Sequence, residues 1–293
     1  MKKSKKFFTR SIQNILEKYF PLFFLKYFLF LRTYKKFKTI INQPNKFELF
    51  SNKNLNKINK YEFKSTSQNN EDGIIEHIFK VIPNNKYFCE IGFGYYENNS
   101  LNLIKSGWSG RLVDADPLEA LALKANLSAF YPNAKVKILN EFVNKDNINN
   151  LVYSDTANKK IDFFSLDVDG NDYWILKALD LNDISVICCE YNHWFGIDKK
   201  ISIKYDSHFN FIDNGIWGAS LLAINDILNS KKFHLIAVES SGTNAFFIHE
   251  KYKKNFEIIS PKGSYQSVGR FYSKTRKEEI FNNVSSSKFL LEV

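Results

Sequence analysis

Tyr87-Phe-Cys-Glu90-Ile-Gly92-Phe-Gly94 is the stretch on which the fold turns. Tyr87 to Ile91 is a short, nearly continuous apolar run, the pattern of a strand buried on both faces. Two glycines follow at once. Glycines in a strand-to-helix turn let the backbone approach a ligand, and the helix predicted next, through Leu101, Leu103 and Ile104, would present its N-terminus there.

Outward from this turn the pattern repeats. Glu71 to Val81 predicts a helix before it, through Ile74, Ile75, Ile78 and Phe79. After it come predicted strands at Arg111–Ala115, Val136–Leu139, Ile161–Val168 and Ser185–Glu190, with helices at Leu118–Phe130 and Trp174–Leu179 between them. A helix at Ala219–Leu228 leads to two more strands, Phe233–Val238 and Ala245–His249, joined by Ser240, Ser241 and Gly242. Strands alternating with helices imply a parallel α/β sheet. The last two are too close in sequence to be parallel, so a mostly parallel sheet closes with an antiparallel hairpin.

With 293 residues, 44% of them hydrophobic and 16% aromatic, the chain can build one sizeable α/β domain with extensions. Its net charge of +10 is local. Residues 1–40 carry eleven Lys and Arg against one acid, Glu17, and the rest of the chain balances. A nucleic-acid binder spreads basic surface over the domain that docks, so the neutral remainder argues against nucleic acid as partner. Cys89, Cys188 and Cys189 offer neither a disulfide framework nor metal-ligand spacing, and adjacent Cys188 and Cys189 would face opposite sides of a buried strand.

The first forty residues read as a separate segment. Ile12, Ile15, Leu16 and Tyr19 recur at helical spacing behind Ser11, and Pro21 interrupts. Tyr19 to Leu31 is thirteen residues broken by Lys26, about 20 Å of helix against the ~30 Å of a bilayer core. The segment fits an interfacial helix on an anionic membrane surface, with packing on the domain as the alternative. Removal of residues 1–40 is expected to leave a folded domain. Residues 41–66 read as a linker, 67–250 as the α/β domain, and 251–293 as a tail.

Chemistry-bearing residues gather where strands end. The GxGxxG fingerprint of a dinucleotide site needs glycine at position 97, where this chain has Glu97. A carboxylate opposes a pyrophosphate but not a cofactor that carries a sulfonium and an amino group. Asp114, twenty residues after Gly94, stands at the end of the second strand, where an acid accepts ribose hydroxyls. Asp167-Val-Asp169-Gly-Asn-Asp172 ends the fourth strand and could face a cofactor cleft, coordinate a divalent cation, or cap the next helix. Glu190-Tyr-Asn192-His193-Trp-Phe195 ends the fifth, with His193 the natural general-base candidate.

Ser67-Gln68-Asn-Asn-Glu71-Asp72-Gly73, Glu90-Ile-Gly92, Gly107-Trp108-Ser-Gly110, Asp167-x-Asp169-Gly, Glu190-Tyr-Asn192, Gly218-Ala-Ser220 and Asn244-Ala-Phe-Phe together resemble the FkbM-like methyltransferases, over about residues 65–250. The resemblance implies a Rossmann-like class I methyltransferase sheet, S-adenosylmethionine as cofactor, and O-methylation of a sugar or other hydroxylated metabolite, often in surface-polysaccharide pathways. Gly-Phe-Gly-Tyr replaces the family's usual Gly-Ala-Asn-x-Gly loop, so loop contacts do not transfer. On this reading Gly92 and Gly94 approach the methionine part and Glu90 orients its amino group. Asp114 holds the ribose, Asn140 or Glu141 lies near adenine, and Asp167 sits beside the sulfonium. Asp169 faces the acceptor, and Asp169 or His193 supplies the base. Two rivals stand: a metal-assisted transferase using Asp167 and Asp169, and an inactive membrane-associated adaptor. A cytoplasmic enzyme, peripheral at the inner face of the membrane, is expected.

Overall fold

The computed structural model describes residues 22–48, 55–154, 160–267 and 272–293. The helix expected at Ile12–Tyr19 lies outside them. Seven strands form the main sheet: β1 (Tyr87–Ile91), β2 (Ser109–Asp114), β3 (Val136–Asn140), β4 (Ile161–Leu166), β5 (Ile184–Glu190), β7 (Phe233–Val238) and β8 (Asn244–His249). Their order is β3-β2-β1-β4-β5-β8-β7. The first five are parallel, and β8 runs antiparallel to both its neighbours. This is the Rossmann-like sheet with a closing hairpin that the sequence predicts. Strand order reverses at the β1/β4 pair, which places a ligand crevice beyond the carboxyl ends of these two strands.

Apolar side chains cover both sheet faces, because parallel strands need helices on each side. One face, with Cys89, Phe164, Ile187 and Cys189, packs against α5 (Ile148–Tyr153), α6 (Asp172–Ala178) and α7 (Leu221–Ser230). The other, with Phe88, Phe163, Val186 and Cys188, packs against α2 (Glu71–Val81), α3 (Leu101–Lys105) and α4 (Pro117–Phe130). Cys188 and Cys189 do lie on opposite faces, and all three cysteines are buried thiols.

Three segments differ from the expectation. The helix of the first segment, α1 (Leu22–Asn42), runs past residue 40 and lies along α4. Phe37 is fully buried there, Tyr34 stacks on Phe130 with centroids 4.9 Å apart, and Asn126 Nδ2 donates to Thr33 Oγ1 at 2.8 Å. Removing residues 1–40 would therefore uncover core. Residues 55–66 of the stretch read as a linker contribute buried side chains: Ile58, Asn59 and Glu62 are buried, and a Cβ on Gly73 of α2 would lie 2.0 Å from the Tyr61 carbonyl oxygen. Only glycine permits that approach. The tail folds back as α8 (Pro261–Ser264), α9 (Lys274–Ser286) and β9 (Leu290–Glu292), which pairs antiparallel with β6 (Ile201–Ile203). Among the described residues no helix is long and apolar enough to cross a membrane.

Candidate functional site

Side chains alternate along a strand, so Glu90, Asp114, Ser165, Glu190 and Asn244 fall on the sheet face that α2, α3 and α4 cover. They share one end of it, the carboxyl end of the parallel strands. The glycine turn is fixed there. Gly92 has φ +79°, and a Cβ on it would stand 1.6 Å from the Asp167 carbonyl oxygen. Asp167 N–H also donates to the Ile91 carbonyl at 2.9 Å. Glycine is required for two reasons at once, and the turn is pressed against the end of β4.

α3 begins at Leu101, where the sequence places it, but does not present a free N-terminus. Asn98 Oδ1 accepts from Ser100 N at 3.2 Å and Leu101 N at 2.7 Å, and Glu90 Oε1 accepts from Asn99 N at 2.9 Å. The loop after Gly94 is also held from outside: Tyr95 N donates to Glu119 Oε2 at 2.7 Å, and Lys36 Nζ of α1 lies 3.2 Å from the Tyr96 ring centroid. Glu90 is 2% exposed, its Oε2 is buried without a hydrogen-bond partner, and burial raises its pKa to about 7.

Asp114 caps the turn from β2. Its Oδ2 accepts from Phe93 N at 2.9 Å and its Oδ1 from Asp116 N at 2.6 Å. The Asp114 carbonyl in turn accepts from Asn140 Nδ2 at 2.9 Å and from Glu141 N at 3.0 Å. The structure thus brings Gly92, Asp114, Asn140 and Glu141 into one neighbourhood.

Asp167 and Asp169 meet Glu190. One ligand-capable atom of each lies within 4.8 Å of the others. β4 stops at Leu166, two residues earlier than predicted, because Asp172 draws the chain away: its carboxylate accepts from Val168 N at 2.9 Å and Gly170 N at 3.0 Å. Asp169 takes φ +56°, a left-handed conformation uncommon outside glycine. Asp172 therefore shapes this loop, and burial raises its pKa to about 6. Burial first, then the charges of Asp169 and Asp172, push Asp167 well above the carboxylate range. Burial, then Asp167, does the same to Glu190. The two carboxyls lie close enough to ligate one ion, and each disfavours ionisation of the other.

His193 sits apart from this picture of a near-neutral base. It opens a 3-10 turn, His193–Phe195, that Asn192 caps through Trp194 N at 2.8 Å. Trp194 and Trp217 surround the ring, Nε2 is buried without a hydrogen-bond partner, and desolvation lowers the pKa to about 3. It is a neutral imidazole at physiological pH and a weak base. Tyr272 and Phe281 of the C-terminal segment close over Trp194, with centroids at 5.2 and 5.6 Å.

Further acids lie beneath the site that sequence reasoning left unassigned. Asp72 accepts from the backbone N–H groups of Ser65, Thr66 and Ser67 at 2.7, 2.6 and 2.8 Å. Glu71 accepts from Asn244 Nδ2 at 2.9 Å, and fully buried Glu239 is raised to about 8, by burial first and then by Glu71. These bonds explain two motifs, Ser67–Gly73 and Asn244–Phe247, as one joint between α2 and the β7–β8 turn. An open cleft of about 460 Å³, lined by Phe79, Lys86, Ser106 and Trp108 toward the amino ends of β1 and β2, also reaches Asp72 and Asn99.

No protein-family model matches the chain, and no curated protein matches its sequence. Solved structures do. One is the N-terminal domain of EvdMO1 with SAH bound, with TM-score 0.41, 11% identity, and 62% of this chain and 80% of that chain covered. Another is an S-adenosylmethionine-dependent methyltransferase from Clostridium acetobutylicum, with TM-score 0.40, 12% identity, and 61% and 90% covered. A third is a putative O-methyltransferase from Klebsiella pneumoniae, with TM-score 0.36, 14% identity, and 56% and 73% covered.

Proposed function

We propose that this protein is an S-adenosylmethionine-dependent O-methyltransferase. The observation that carries the reading is the juxtaposition of a sterically obligatory glycine turn, Gly92, with Asp114 at the end of β2 and Asp167 at the end of β4. The buried, unpartnered Oε2 of Glu90 fits a cationic group such as the cofactor's ammonium. When bound, the cofactor supplies an electrophilic methyl group for in-line transfer.

The chain's own residues do the rest. Gly92 and Gly94 admit the methionine part, Asp114 accepts the ribose hydroxyls, and Asn140 and Glu141 border adenine. Asp167 lies beside the sulfonium and Asp169 toward the acceptor. Catalysis then consists of alignment and removal of the acceptor's proton. Asp169 serves as base better than His193, whose neutral imidazole is suited to hydrogen-bonding the acceptor. The acceptor class is a sugar or other hydroxylated metabolite, as in the FkbM-like enzymes whose motifs the chain resembles. The test is release of S-adenosylhomocysteine with a panel of glycan acceptors. Turnover dependent on an acceptor hydroxyl supports the reading; cofactor binding without turnover on any acceptor favours the adaptor.

A second reading is favoured by the Asp167, Asp169 and Glu190 oxygens lying within 4.8 Å of one another. A divalent cation there would favour the ionised carboxylates and lower the pKa of an acceptor hydroxyl. Full activity after exhaustive chelation would exclude it. We also infer a cytoplasmic enzyme held at the inner membrane face by residues 1–40, supported by the +10 net charge concentrated there.

A further inference from the structure

α1 has two faces. The inner one belongs to the domain: Thr33, Tyr34 and Phe37 pack on Asn126 and Phe130 of α4. The outer one faces solvent. Tyr27 is 55% exposed, Phe28 60% and Leu31 53%, three large apolar side chains within five residues. Exposed Arg32, Lys35 and Lys38 follow along the helix, which contains no acid. Lys36 is engaged otherwise, over Tyr96.

We propose that this outer face docks flat on an anionic lipid bilayer, with Tyr27, Phe28 and Leu31 entering the interface and Arg32, Lys35 and Lys38 meeting lipid phosphates. The inference rests on the membrane-surface reading above and specifies which face makes the contact. Charge selects the occupant. Pairing this face with a second copy would bring Arg32, Lys35 and Lys38 against their own kind without a balancing acid. An anionic surface offers the complement, and Lys2, Lys3, Lys5, Lys6, Arg10 and Lys18 add to it from the preceding sequence. The helix lies on the surface instead of crossing it, since its inner face is committed to α4.

Co-sedimentation of the full chain tests this, with vesicles of phosphatidylglycerol and phosphatidylcholine compared with phosphatidylcholine alone. The parent should follow only the anionic vesicles, less so as salt rises. Phe28→Ser with Leu31→Ser, and separately Arg32→Glu with Lys35→Glu, should each weaken binding about tenfold or more. Ile212→Ser, at a distant residue 64% exposed, should not. Melting temperature and S-adenosylmethionine affinity should be unchanged in all, which separates a failed anchor from a failed enzyme assignment. Undiminished vesicle binding in both double variants would overturn the proposed face while leaving membrane attachment standing. No binding by the parent, or equal binding to neutral vesicles, would overturn both. A dimer that the variants dissolve would make the face a contact between copies and overturn the lipid assignment.

Discussion

Gly92 shows how much one position carries. Alanine there would need a left-handed backbone and would meet the Asp167 carbonyl, so Gly92→Ala should displace the end of β4 together with the turn. Its expected signature is loss of cofactor binding along with a lower melting temperature, checked by calorimetry. Asp169→Asn keeps the shape but not the base, and should lower methyl transfer about 10²-fold or more at nearly unchanged cofactor affinity. Wild-type turnover in that variant would remove Asp169 from the mechanism. His193→Gln should keep most activity, and the pH–rate profile should show no limb from an imidazole near its ordinary value, because burial holds this ring neutral down to about pH 3. The strand-end positions of Gly92, Asp114 and Asp167 were legible in the sequence because a glycine or an acid marks the end of each apolar run. Glu71, Asp72 and Glu239 were not: an acid in the first turn of a helix, or beside serines in a turn, reads as solvated. Only the fold reveals that these are buried.

The strands of the main sheet were readable from their apolar runs, and the errors are mostly at ends. β4 stops early because Asp172 takes the Val168 and Gly170 N–H groups, a side-chain effect without periodicity. β6 and β9 were invisible: three-residue strands pairing Ile201 with Glu292 leave no pattern at that separation. α1 was recognised as a helix, but its division into a docked and an open face depends on α4 and could not be read from α1 alone. Phe37→Ala should cost about 3–5 kcal/mol by denaturant unfolding, as for a large aromatic removed from a packed core. A deletion ending at residue 40 should lower the domain's stability by a comparable amount.

For the molecule as a whole, the carboxyl edge of the sheet collects buried acids whose ionisation burial opposes. Glu90 is raised to about 7 and Glu239 to about 8. Above pH 6.5 the unfolded chain has ionised these groups while the fold still holds their protons. Stability contributed by the protonated forms is therefore lost from pH 4.5 upward through 7 and 8, and over pH 6.5 to 8 at up to about 1.4 kcal/mol per pH unit for each group still protonated. His193, lowered to about 3, acts in the opposite sense only below pH 6.5 and does not enter the window from pH 6.5 to 8. The melting temperature of the ligand-free protein should fall between pH 6.5 and 8, and a flat profile would mean that these carboxyls are ionised in the fold. A cationic ligand should reduce the fall. The account depends most directly on the ligand itself, and isothermal titration calorimetry with S-adenosylmethionine and with NAD decides it. S-adenosylmethionine should bind, NAD should bind at least tenfold more weakly, and Asp114→Ala should weaken S-adenosylmethionine about ten- to a hundred-fold through the lost hydrogen bonds to ribose. Tighter binding of NAD, or unchanged affinity in Asp114→Ala, would contradict it.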